Sequence, residues 1–118
     1  MNDNVEKTAF GYEVTWIKTE DYTGKILVFD VRNAKSPMVF HRNTTKTWFV
    51  NSGKFKVSWI DIKDGKLYEK ELGEGNVFHA TPCSPCGLEV LSDTGSVSQV
   101  SNKDDKDDSF YLSDAPKK

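Results

Sequence analysis

This chain of 118 residues has no helical periodicity. No segment keeps an apolar stripe at 3.6-residue spacing for more than about a turn, which argues against helical bundles and α/β folds. Blocks of Lys or Arg are also absent. A net charge of −2 and a pI near 5.7 leave no electrostatic footprint for nucleic acid or an anionic membrane. The longest apolar run, Ile26 to Phe29, is far too short to span a bilayer. The opening MNDNVEKTAF lacks the apolar core of a secretory signal, so a soluble, cytoplasmic protein is expected. There are two cysteines, Cys83 and Cys86, expected to be thiols in that compartment. No phosphate-binding loop, G-x-G-x-x-G fingerprint, nucleophile elbow or internal repeat occurs. Hydrophobic residues make up only 36%, and fourteen aromatics offset this with large buried areas per residue.

What is present is a series of short strands punctuated by turns. Tyr12, Val14 and Trp16 alternate with Glu13, Thr15 and Ile17. Lys25 to Arg32 is apolar on both parities at Ile26-Leu27-Val28-Phe29, which predicts a strand covered on both faces. Ser36 to Gly53 reads as a strand ending at His41, a turn at Asn43-Thr44-Thr45, and a second strand through Trp48, Phe49 and Val50. The expectation is a hairpin around which the remaining sheet is wrapped. Phe55, Val57 and Trp59 then alternate with Lys54, Lys56 and Ser58. Asp64-Gly65 signals a hairpin to a polar edge strand, Lys66 to Leu72, where Glu69 and Glu71 are expected to be solvated. Further strands are expected at Asn76–Ala80, Cys86–Leu91, Ser96–Val100 and Ser109–Leu112, with KDDKDD (Lys103 to Asp108) as a solvated loop. Eight or more short strands at this spacing predict one all-β sandwich or barrel.

Two stretches resemble the paired motifs of the cupins, small jelly-roll barrels. His41-Arg42-Asn43, Lys46 and Gly53 stand where the first motif has H-x-H, Glu and Gly. Gly73 or Gly75, Pro82 and Pro85-Cys86 stand where the second has Gly, P-x-G and His. The chain is also similar to the mannose-6-phosphate isomerase-like cupins at Phe10-Gly11-Tyr12-Glu13, at Tyr22-Thr23-Gly24-Lys25-Ile26-Leu27 and at the acidic tail segment Asp107 to Asp114. This resemblance implies a single-domain cupin-type double-stranded β-helix over residues 9–114, with a flexible leader at 1–8 and a tail at 115–118.

In metal-binding cupins, two histidines and a glutamate of the first motif meet a histidine of the second inside the barrel. The resemblance maps these positions onto His41, Asn43, Lys46 and Cys86, and only His41 keeps its type. Asn43 is a poor ligand, and Lys46 brings an ammonium to the seat of the cation. Cys86 can ligate as a thiolate, which leaves His41 and Cys86 as the remaining candidates for a weakly bound divalent transition metal. Without metal, His41, Asn43, Lys46, Trp48 and Cys86 form a ligand pocket. Lys46 would meet a carboxylate or phosphate there, Asn43 would donate and accept, and Trp48 would either stack on a sugar ring or serve as barrel core. Glu13 and Lys25 match positions near the barrel mouth and are further pocket candidates.

Cys83-Ser84-Pro85-Cys86 lacks the second pair of a zinc knuckle, and its prolines argue against the helix that a thioredoxin-like motif opens. His79, on one parity with Val77, is read as structural. Two functions follow from the resemblance. One is a module binding a sugar, sugar phosphate or similar polar metabolite. The other is a sugar-phosphate isomerase, with His41 or Lys46 as catalytic candidates and His41 and Cys86 holding a metal. A homodimer paired through exposed strand edges is the expected assembly.

Overall fold

Along Lys46–Ser52, residues 46, 48 and 50 are buried while Phe49 is exposed. This period of two is repeated, strand after strand, in two facing antiparallel sheets. In a computed structural model describing residues 4–102 and 109–113, the strands are β1 (Val5–Thr8), β2 (Gly11–Lys18), β3 (Thr23–Phe29), β4 (Met38–His41), β5 (Lys46–Ser52), β6 (Phe55–Ile60), β7 (Leu67–Leu72), β8 (Val77–Ala80), β9 (Cys86–Val90), β10 (Gly95–Ser101) and β11 (Ser109–Ser113). One sheet has the order β1-β2-β3-β10-β5-β8 and the other β11-β4-β9-β6-β7. The described residues contain no helix, hence none long and apolar enough to cross a membrane. The architecture is the expected jelly roll of a single domain.

Two expectations are corrected. Ser36–Gly53 is not a hairpin: β4 pairs with β9 and β11, whereas β5 pairs with β10 and β8 in the opposite sheet. The turn formers Asn43-Thr44-Thr45 carry the chain across the sandwich, and Thr45 N–H is held there by the Asn102 side chain at 2.9 Å. The second correction concerns the leader. Val5–Thr8 pairs with β2 in a register that joins Val5 to Val14 and Thr8 to Gly11. Its polar composition reflects an edge position, not fraying. The hairpin at Asp64-Gly65 does join β6 to β7, and β7 is an exposed edge as read from its polarity. The charge run at 103–108 and the tail at 115–118 lie outside the described residues.

Each inward row changes character along its strand. On β3 it runs from Lys25 to Leu27 and Phe29, and on β5 from Lys46 to Trp48 and Val50. On β9 it runs from Cys86 to Leu88 and Val90, and on β10 from Gln99 to Val97. The register aligns these rows, so one end of the sandwich is solid. There Phe29 stacks on Phe10 at 4.3 Å and meets the edge of Phe55 at 5.0 Å. The other end keeps the polar side chains and the cavity.

The solid end is packed closely enough to test. A Cβ on Gly95 would lie 2.8 Å from ring atoms of the fully buried Phe55. Gly95→Ala is therefore expected to cost about 1–3 kcal/mol by overpacking, read as a lower midpoint in denaturant unfolding. A variant as stable as the parent would mean that Phe55 has room to move.

Candidate functional site

The cavity has a volume of about 480 Å³ and lies between the sheets at their polar end. β4 supplies His41 and β9 supplies Cys86 from one side; β5 supplies Lys46 and Trp48, β10 Gln99, β3 Lys25 and β2 Glu13 from the other. Antiparallel alternation explains the convergence, because each of these residues occupies an inward position on its own strand.

Lys46 sits at the centre of the electrostatics. It is 7% exposed, and its Nζ lies 3.3 Å from His41 Nε2, within hydrogen-bond distance. The Trp48 ring centroid lies 5.0 Å from the same nitrogen, within cation–π range. Burial pushes the Lys46 pKa below the usual lysine value; a Cys86 thiolate would raise it, and nearby Lys25 lowers it further. Burial likewise pushes the Cys86 thiol up, with Lys46 acting in the opposite direction. Lys25 is matched differently, its Nζ lying 3.4 Å from Glu13 Oε2. Among the described residues no carboxylate stands within ion-pair distance of Lys46.

His41 is held in place from its backbone. The Cys83 N–H donates to the His41 carbonyl at 2.6 Å, across the loop of Thr81 to Pro85. Cys83 adopts φ 70°, a left-handed conformation uncommon for a residue with a side chain. The loop thus clamps the end of β4, and Cys83 and Cys86 remain free thiols, one exposed and one buried.

Four of the five expected pocket residues, His41, Lys46, Trp48 and Cys86, line this cavity. The fifth, Asn43, does not: it is exposed and lies beyond the end of β4. The chain bends at Arg42 and Asn43, so the alternation that would have turned Asn43 inward has already ended. Thr44 is buried in its place. Trp48 is only 2% exposed and stacks on Phe78 at 5.8 Å, while its indole N–H donates to Gln99 Oε1 at 2.8 Å. This makes it a wall of the cavity and part of the core, with little ring face open to a sugar. Glu13 and Lys25 both line the cavity, while His79 is on the outer face, bonded through Nδ1 to Thr47 Oγ1 at 2.8 Å.

Gln99 and the β1 residue Glu6 also line the cavity and were not anticipated. A signal for Gln99 exists: it shares a parity with the buried Val97 and Ser101, so a long polar side chain stands on the inward row. Glu6 carries no such signal, because its strand was read as leader.

The cupin metal donors can be tested against this geometry. Among the described residues no three His, Cys, Asp or Glu side chains converge as a metal ion requires. The position of the expected glutamate holds an ammonium bonded to the imidazole nitrogen that would otherwise ligate. The donor set does not fit a resident metal.

No protein-family model and no curated protein sequence matches the chain. Solved structures do. The capsular polysaccharide assembling protein CapF from Staphylococcus aureus is similar with a TM-score of 0.82 and 17% identity over 92% of this chain. An oxalate decarboxylase from Bacillus subtilis gives a TM-score of 0.81 and 15% identity over 92%. KdgF from Halomonas sp. gives 0.68 and 21% identity over 81% of each chain. This chain spans 32% of CapF and 29% of the decarboxylase, about a third of each. At these identities the likeness is one of fold, and the fold is that of the cupins.

Proposed function

We propose that the cavity binds a hydroxylated anion of the sugar-acid or sugar-phosphate class, without a metal. The observation that carries this reading is Lys46, a buried cation with no carboxylate partner among the described residues, beside His41 in a cavity also lined by Glu13, Lys25 and Gln99. An anionic group would supply the missing countercharge, and the polar lining would meet hydroxyls. The neighbours support the class and not the compound: CapF is a capsular polysaccharide assembling protein, and oxalate decarboxylase acts on a small dianion.

Intrinsic tryptophan fluorescence provides the test, since Trp48 lines the cavity and touches Lys46. Mannose 6-phosphate is expected to change the emission in a saturable way and to bind at least about tenfold more tightly than mannose. Equal affinity for both, or no response to a panel of sugar phosphates and sugar acids, would remove the reading. The His41–Lys46 pair at 3.3 Å also favours a second reading, proton transfer on a bound sugar phosphate, with His41 as base. Interconversion of mannose 6-phosphate and fructose 6-phosphate, lost in His41→Ala, is its required result.

A further inference from the structure

The inward charges of the six-stranded sheet are sorted by sign across the cavity. Glu6 on β1 stands directly opposite Glu13 on β2, and both line the cavity. Like charges directly opposite one another in a sheet are destabilising. Lys25 answers Glu13 at 3.4 Å, in a pair whose side chains are only 12% and 18% exposed. Among the described residues Glu6 has no ion-pair partner. Lys7 follows it on the opposite parity of β1. The row then crosses to a cation. Lys25 pairs with Gln99 and Gln99 with Trp48, and Lys46 lies one inward position beyond Trp48. Glu6 is exposed and marks the mouth, whereas Lys46 is buried and marks the interior. β1 and β5 are four strand spacings apart in this sheet. At about 4.8 Å each, that is roughly 19 Å between backbones, and two side chains reaching inward shorten it to on the order of 10 Å between the charged groups.

We infer that the ligand carries a protonated amine at the end remote from its anionic group, as an amino sugar phosphate or amino sugar acid does, and that Glu6 receives the amine. The assignment rests on the anion site proposed above and narrows its substrate class. Lys46, buried in the same cavity without a carboxylate, fixes the anionic end. Glu6 fixes the other. Backbone pairing of β1 with β2 holds its carboxylate against Glu13, and an ammonium there relieves the repulsion and gains a charge-assisted hydrogen bond. A purely anionic ligand would gain nothing from Glu6 and would add charge of the same sign. The span agrees. In a hexopyranose, a phosphate on carbon 6 and an amine on carbon 2 leave from opposite corners of the ring. With a charge-assisted hydrogen bond of about 2.8 Å at each end, such a molecule covers the gap. Its hydroxyls then face Gln99 and the Glu13–Lys25 pair.

Titration calorimetry of the full chain tests this with mannose 6-phosphate and 2-amino-2-deoxymannose 6-phosphate, which differ only in the amine. The amino compound is expected to bind at least about tenfold more tightly. Glu6→Gln keeps the shape of an exposed side chain and is expected to bring the ratio of the two affinities to about one. Glu71→Gln, on the exposed edge strand β7 of the other sheet, should leave the ratio as in the parent. Equal binding of the two phosphates by the parent chain overturns the inference while the anion site stands. A preference that survives Glu6→Gln overturns it as well. Binding of neither compound removes the anion site, and the inference falls with it.

Discussion

Lys46→Met is expected to stabilise the fold while abolishing anion binding. Lys46 is buried, its Nζ set between the His41 imidazole and the Trp48 ring, and its desolvation is not repaid by a carboxylate. Replacing such a cation with an apolar side chain of similar length is expected to raise stability by about 1–4 kcal/mol. The same change removes the countercharge for an anion, so affinity for mannose 6-phosphate should fall at least about 100-fold. The opposed signs are the useful feature, because a merely damaged protein would lose both. Loss of stability with retained binding would show that Lys46 is structural.

The pH dependence follows from the same burial. The folded-state pKa of Lys46 lies below its unfolded value, so between the two the unfolded chain holds a proton that the folded chain has released. Stability therefore rises with pH through that window and levels near the usual lysine value of 10.5. Cys86 acts oppositely. Its raised pKa keeps the folded thiol protonated above 9.0, where the unfolded thiol ionises, and stability falls there as pH rises. In Lys46→Met the rise should vanish and only the fall remain, which chemical denaturation across alkaline pH would read directly.

The strands were legible because burial alternates with a period of two and turn formers mark the ends, whereas the expected cover on both faces of β3 is not met, Ile26 and Val28 being only half-buried. Connectivity between sheets was not legible. A turn such as Asn43-Thr44-Thr45 looks the same whether the chain returns to its neighbour or crosses the sandwich, and only the pairing of β4 with β9 decides. The site shows the same division. His41, Lys46 and Cys86 were found by position in a motif, and the alternation of β5 already joined Lys46 to Trp48. Asn43 was misplaced because the motif assumes that β4 continues past His41, whereas the strand ends there. Glu6 stayed hidden because four polar residues at an edge carry no apolar pattern, and backbone pairing to β2 alone makes them a strand.

The cavity should accept a metal once its cation is removed and donors are restored. Lys46→Glu combined with Cys86→His would set a carboxylate and an imidazole beside His41, all on inward rows lining one cavity. Two imidazoles and a carboxylate with open positions suit a divalent first-row ion. Titration calorimetry with Ni²⁺ is expected to show one equivalent bound, at least about 1,000-fold more tightly than by the parent chain. Adding Asn43→His should change that affinity less than about threefold, since position 43 is exposed beyond the end of β4. Repeating the double change in a His41→Ala background should abolish the gain. A site that forms only with the Asn43 substitution would place residue 43 at the cavity and contradict the strand end. Tight stoichiometric metal in the parent chain would contradict the electrostatic argument itself, because an ammonium at Nε2 of His41 and a cation on the same nitrogen exclude one another.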